Sequence, residues 1–302
     1  MGNYCSEICN EPEIQVLRLS DLECTPQSVR SRKSQQHQKG YFTESKEPVL
    51  HLNNNTEKQR RPPYRFTTGG VYEGEWVGNK REGIGIMTWP DGAKYEGEWK
   101  DNRANGNGKF WHLDGDTCRF ILFLLDEGEW KDDQTHGYGI YVHVNGAKYE
   151  GYWKNDVQDG YGIEIWADGS KYEGFYFMGK KDGQGKYYWP DGSFYSGAWK
   201  ENNINGHGTY QWQDGRQYVG DWLDNCMHGK GCYKWKDGRS YLGEFVQDKR
   251  HGFGVYEWED GRKYEGFWDN GKQHGEGNYY ESNGKMRRGL WEDGKRIKWL
   301  DE

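Results

Sequence analysis

Lys94-Tyr95-Glu96-Gly97-Glu98-Trp99 alternates without a break, so that Tyr95, Gly97 and Trp99 fall on one face of an extended chain and Lys94, Glu96 and Glu98 on the other. Gly206-His207-Gly208-Thr209-Tyr210-Gln211-Trp212 repeats the pattern, with Gly206, Gly208, Tyr210 and Trp212 sharing a face. Both stretches read as half-buried β-strands. An Asp-Gly pair, here Asp214-Gly215, supplies the positive φ of a tight turn into the next strand. The two kinds of strand make a hairpin.

The hairpin recurs along most of the chain. Tyr72, Tyr95, Tyr149, Tyr172, Tyr195, Tyr218, Tyr241 and Tyr264 open units of 23 residues, each running roughly Y-x-G-x-W, six residues, G-x-G, then D-G, and one further unit opens at Asp126. Nine full units span residues 72–286, and a truncated tenth occupies 287–302, where it reads as a cap. Of the 45 glycines, 37 hold four fixed positions of the unit, leaving bare backbone over which rings from neighbouring strands can lie. The expected fold is all-β: a single-layer antiparallel β-hairpin solenoid over 67–302, preceded by a disordered tail over 1–66.

These units resemble MORN repeats (membrane occupation and recognition nexus). Tyr264-Glu265-Gly266-Phe267-Trp268 through His274-Gly275-Glu276-Gly277 follow that motif closely, and the resemblance extends over about 230 residues. It implies a repeat scaffold. MORN arrays also occur attached to lipid kinases and to a methyltransferase, and phosphoinositide binding is often attributed to the family.

Composition fits an aromatic core. The 302 residues include 50 Phe, Trp and Tyr against 34 Leu, Ile and Val, an inversion of ordinary globular usage. The longest apolar stretch, Phe120 to Leu125, is far short of the ~20 residues of a membrane-spanning helix. It belongs to an eight-residue insert, 118–125, between two units. That insert reads as a projecting hairpin extension that docks a partner, as a locally packed plug, or as a gene-model error; its in-frame removal restores the period, which favours the last slightly. With no secretory signal either, the expectation is a cytoplasmic protein whose six cysteines stay reduced.

Charge is divided unevenly. Residues 1–65 hold ten Lys and Arg against eight Asp and Glu, leaving 31 against 40 in the rest, so the tail carries +2 and the array −9. An acidic array disfavours nucleic acid and, on average, anionic headgroups, unless Lys249, Arg250 and Lys272 gather at one edge. Direct phosphoinositide binding by the array is therefore not expected.

The N-terminus, Met1-Gly2-Asn3-Tyr4-Cys5-Ser6, fits the myristoylation pattern, with Gly2 as acceptor. One acyl chain gives only marginal anchoring; palmitoylation of Cys5 or Cys9 and attraction of Arg30, Arg32, Lys33 and Lys39 to anionic lipid would complete it. No P-loop, nucleophile elbow, H-E-x-x-H or kinase signature occurs, so no enzyme, cofactor or metal site is expected. His136, His228, His251 and His274 recur just before a glycine, but equivalent residues stand ~9.5 Å apart, too far to share one metal.

The aromatic face remains as the interaction surface. Tyr187, Trp189, Tyr210, Trp212, Tyr233, Trp235, Tyr256 and Trp258 form two ladders, with Trp199 and Trp222 beside them, and a single-layer sheet has nothing of its own to cover that face fully. The leading expectation is a non-enzymatic scaffold that binds protein partners, or a second copy, along this face, peripheral on the cytoplasmic side of a membrane. The alternatives are a structural component of a cilium, flagellum or cytoskeletal assembly, and the regulatory partner of a separate phosphoinositide kinase.

Overall fold

The computed structural model describes residues 41–42, 56–113 and 123–301. Its described part is an antiparallel sheet of hairpin strands, in two compact halves that divide between Lys181 and Asp182. In the N-terminal half the first full hairpin joins Val71–Val77 to Lys80–Thr88, and consecutive strands pair antiparallel as far as Lys171–Phe177. In the C-terminal half the same pairing runs on to Met286–Glu292 and Lys295–Trp299.

Register explains the period. Tyr195 lies opposite Tyr210 and Gly197 opposite Gly208, and on the next strand Tyr218 lies opposite Tyr210 and Gly220 opposite Gly208. Rows of tyrosine and rows of glycine therefore cross the strands side by side. The Tyr195 ring lies down over the glycine row, and its hydroxyl donates to the carbonyl of Ala198 at 3.0 Å. A Cβ on Gly208 would stand 2.2 Å from the Tyr195 hydroxyl oxygen and 2.5 Å from Cζ. Gly208→Ala should thus cost at least about 1–3 kcal/mol and lower the melting temperature. A thermal melt that matches wild type would show that the ring can move aside.

Tryptophan links one hairpin to the previous one. Trp199 Nε1 donates to the Gly185 carbonyl at 3.2 Å and Trp222 Nε1 to that of Gly208 at 3.4 Å. The six-residue spacer after each tryptophan hides a second turn, in which two consecutive residues take positive φ: Glu201 and Asn202 at 47° and 74°, Asp224 and Asn225 at 46° and 67°. This is the twist-matched two-residue hairpin turn that Asn and Asp tolerate. Its side chain also reaches back, since Asn225 Oδ1 accepts from the Ile204 amide at 2.7 Å and Asp248 Oδ1 from that of Met227 at 2.7 Å. Each turn thereby grips the hairpin before it.

The expected boundary at 66/67 falls inside the sheet. Lys58–Arg60 and Tyr64–Arg65 both pair with Val71–Val77, and the Phe66 side chain is buried. The break at Pro62-Pro63, which have no amide protons to donate, splits this edge into two short pieces. At the insert, Arg103–Leu113 pairs with Phe123–Lys131, placing Trp111 opposite Leu125, His112 opposite Leu124 and Leu113 opposite Phe123. Residues 123–125 thus lengthen a hairpin, while 118–122 lie outside the described residues.

Candidate partner-binding groove

In the C-terminal half the aromatic residues form one continuous stack. Tyr187 meets Trp189 at 4.6 Å between ring centroids, Trp189 meets Tyr210 at 5.0 Å, and Tyr210 meets Trp212 at 4.5 Å. The alternation continues from Trp212 to Tyr233 at 5.3 Å, Tyr233 to Trp235 at 4.5 Å, Trp235 to Tyr256 at 5.5 Å and Tyr256 to Trp258 at 4.7 Å. The ladder is sealed on itself more than its sequence implies. Tyr187, Tyr210, Tyr233 and Tyr256 are buried, as are Trp199 and Trp222. Trp189, Trp212, Trp235 and Trp258 are half-exposed. The face is covered in part by its own rings, since each tryptophan lies against the tyrosine two residues before it. Of the ten rings assigned to partner binding, four present surface.

Arginines that the sequence reading did not single out border those four. Arg216, Arg239 and Arg262 follow the Asp-Gly turns, and their guanidinium groups lie 5.3, 5.4 and 5.4 Å from the ring centroids of Trp212, Trp235 and Trp258. Each is held by its own turn aspartate, as in Arg216 Nε to Asp214 Oδ2 at 2.6 Å, and each donates to the next tyrosine, as in Arg216 to Tyr233 Oη at 3.2 Å. Burial pushes Tyr210 up to about 12, and it raises Tyr233 as well, where Arg216 opposes it. The groove floor therefore stays protonated and uncharged at neutral pH, with a row of cations at its side. The signal was present in the sequence as Asp-Gly-Arg recurring at 214–216, 237–239 and 260–262.

The N-terminal half departs from this regularity at three places. Arg81 is buried against Trp99, its guanidinium 4.3 Å from the ring centroid, and loss of hydration lowers it to about 10. Arg250 uses the same geometry on Trp268 in the C-terminal half and donates to the Gly271 carbonyl at 2.9 Å, so its charge is turned inward rather than gathered at an edge. Glu164 takes a position where neighbouring hairpins carry tyrosine. It is buried, accepts from Tyr176 Oη at 2.7 Å, and lies near the buried Lys181, which stacks on Trp166 at 4.8 Å.

The third departure involves the segment expected to be unstructured. Phe42 is 4% exposed and meets Trp89, Phe110 and Trp130 at 5.3, 5.8 and 5.9 Å. Tyr41 meets Trp89 at 5.4 Å, accepts from Trp89 Nε1 through its carbonyl at 2.8 Å, and donates from its hydroxyl to Asp91. With those rings on it, Trp89 is 5% exposed.

The opposite face is less polar than alternation suggests. Tyr138 and Tyr152 pair across strands at 5.7 Å, Tyr161 and Phe175 at 5.6 Å, and Phe253 and Phe267 at 5.7 Å, all of them exposed. Among the described residues no three His, Cys, Asp or Glu side chains group as metal ligands, and His251 instead faces Asp269 at 3.4 Å. Cys226 and Cys232 are half-buried and neither is in a disulfide. The acylation residues Gly2, Cys5 and Cys9 lie outside the described residues.

A sequence profile of the MORN repeat matches nine segments: 72–94, 95–117, 127–148, 149–171, 172–194, 195–215, 218–238, 241–261 and 264–286. The chain belongs to the MORN-repeat family. Its nine matched MORN repeats coincide with the nine hairpin units, including the one that opens at Asp126 in place of tyrosine. No curated protein matches the MORN chain. Among solved structures it is similar to the TCP domain of Drosophila melanogaster SAS-4 in complex with a proline-rich motif, at 13% identity and a TM-score of 0.33, over 62% of this chain and 90% of that one. It is also similar to a point mutant of the TCP10 domain of Danio rerio CPAP, at 13% identity and a TM-score of 0.23, over 80% of this chain and 99% of that one.

Proposed function

We propose that this MORN array is a non-enzymatic scaffold that takes an extended segment of a protein partner along its C-terminal groove, at the cytoplasmic face of a membrane to which an acylated N-terminus tethers it. The observation that carries the reading is the row of four half-exposed tryptophans, Trp189, Trp212, Trp235 and Trp258, at repeat spacing above a buried tyrosine floor. A partner backbone lying across the strands would find an apolar ring at every repeat, and beyond Trp189 a cation beside each one. The tether rests on the sequence alone: Gly2 in the myristoylation pattern, with Cys5 and Cys9 near it.

One experiment tests both parts. Proximity labelling in the native cell compares the wild type with Gly2→Ala, with Trp212→Phe and Trp235→Phe, and with Lys234→Glu on the opposite face. Gly2→Ala should remove membrane proteins from the labelled set. The Phe variants keep most of the apolar area, so they should thin a specific group of partners with little change in melting temperature, whereas Lys234→Glu should leave that group intact. A labelled set unchanged by Gly2→Ala sinks the tether; partners lost with Lys234→Glu but kept by the Phe variants move the binding surface to the other face.

A further inference from the structure

We propose that the groove at Trp89 and Phe110 is a binding site for two consecutive aromatic residues, and that this chain fills it in cis with its own Tyr41-Phe42. The inference stands apart from partner capture at Trp212 and Trp235, because site and ligand both belong to this chain.

The contacts are those of a seated peptide. Neither residue belongs to a hairpin, yet Phe42 is 4% exposed, with Trp89, Tyr95, Phe110 and Trp130 around it at 5.3 to 5.9 Å. Tyr41 adds a main-chain hydrogen bond from Trp89 Nε1 to its carbonyl and a side-chain bond from its hydroxyl to Asp91, the aspartate of the turn. Aromatic rings supply the area and two polar contacts fix the orientation, the division of labour expected of a specific small site.

The site is built for this ligand by what the repeat omits. In three repeats of the C-terminal half the residue two places after the turn aspartate is arginine, Arg216, Arg239 or Arg262, each lying beside its tryptophan and donating to the tyrosine of the next repeat. Here the corresponding residue is Ala93, fully buried, and the corresponding tyrosine is Phe110. Without the guanidinium the Trp89 ring is open to another ring, and without the hydroxyl the floor has no polar group to satisfy. Trp189 also lacks an arginine neighbour, since Ser193 stands in that place, but there Tyr210 keeps its hydroxyl and Ser193 Oγ lies 3.4 Å from it. Trp166 lacks it too, with Ser170 in that place, Lys181 stacked on its ring and Tyr187 as the floor residue; of these three tryptophan repeats without the arginine, the one with an apolar floor holds the aromatic pair.

A tethered ligand acts at an effective concentration on the order of 1 mM, so the filled site should resist the same peptide added in solution. The test uses a fluorescein-labelled peptide of residues 38–46, followed by fluorescence anisotropy against the full chain. The double variant Tyr41→Ser/Phe42→Ser should bind this probe at least tenfold more tightly than the wild type. A probe in which Phe42 is serine should not bind. Adding Ala93→Arg to the double variant should abolish binding by covering Trp89 as Arg216 covers Trp212, and a thermal melt shows that this variant remains folded. Equal affinity for wild type and double variant, or no saturable binding to the double variant, overturns the proposal. A wild-type dimer that the double variant converts to a monomer also overturns it, because the pair would then sit on a second copy.

Discussion

Above pH 10 each half of the array should unfold in a single step while its tyrosines ionise. The opening tyrosines Tyr72, Tyr95, Tyr149, Tyr195, Tyr218, Tyr241 and Tyr264 are all held above the ordinary value of 10.0, in each case chiefly by burial. The direction of the effect follows from proton binding. An unfolded chain releases these protons near pH 10, whereas the folded chain keeps them, so the stabilisation is fully present below pH 10 and is lost as pH climbs toward the folded values. Ionisation would also remove the donor that each hydroxyl gives to a carbonyl three residues on, as in Tyr218 to Asp221 at 2.9 Å and Tyr264 to Phe267 at 3.1 Å. Because the same group recurs at the same depth in successive repeats, the separate slopes add. Circular dichroism and tyrosinate absorbance, followed together against pH, should change over one interval. Gradual ionisation of the buried tyrosines with the strand signal intact would mean that the rings leave the glycine rows without disturbing the sheet.

The hairpin array was legible because its constraint is local and strictly repeated. Tyrosine lies over glycine, and only a residue without Cβ fits beneath it, so Gly97, Gly108, Gly197 and Gly208 had to reappear at fixed offsets from Tyr95 and Tyr195. Alternation also assigned the aromatic face correctly, but face is not exposure. Which way a ring leans along the strand decides whether Trp212 covers Tyr210 or leaves it open, and a period of two carries no information about lean. The second turn of each hairpin was hidden for another reason. Its positive-φ pair is Asp-Asn at 101–102, Asn-Asp at 155–156 and Gln-Asp at 247–248, chemically related positions without a shared letter. Tyr41 and Phe42 were least legible of all. Their contact with Trp89 spans 48 residues in sequence and belongs to no repeat, so nothing local marks it. The aromatic pairs on the outer face, such as Tyr138 and Tyr152, occupy positions that hold charge in other repeats, and the averaged pattern concealed them.

Removing either member of the buried pair Glu164 and Lys181 should cost the N-terminal half about 3–5 kcal/mol, while replacing both should cost little. The Glu164 position is apolar or aromatic in other repeats, as at Tyr141 and Tyr187, whereas the Lys181 position holds Ile204 and Met227 in the two repeats that follow and arginine at Arg81 and Arg250. Glu164 and Lys181 are both buried, and Tyr176, held well above its ordinary value by burial and by Glu164, keeps its proton and donates it to the carboxylate at 2.7 Å. Lys181→Ile would take the cation away from a buried carboxylate, and Glu164→Tyr would take the anion away from a buried ammonium that lies over Trp166 and Tyr172. Glu164→Tyr/Lys181→Ile instead restores the residues other repeats carry, and should fall within about 1 kcal/mol of wild type, the hydrogen bond lost by Tyr176 offsetting the relief from burying charge. Proton binding supplies a second, independent sign. Burial outweighs the pull of Glu164 and lowers Lys181 to about 8, whereas the unfolded side chain keeps its proton up to about 10.5. Between those values the unfolded chain binds more protons, so the Lys181 contribution to stability should rise with pH from about 8 until tyrosine ionisation takes over near 10. Urea midpoints at pH 7 and pH 9 for the four proteins measure both effects. Single variants as stable as wild type would show that water reaches the pair, and a rise with pH that survives in Lys181→Ile would assign it to another group.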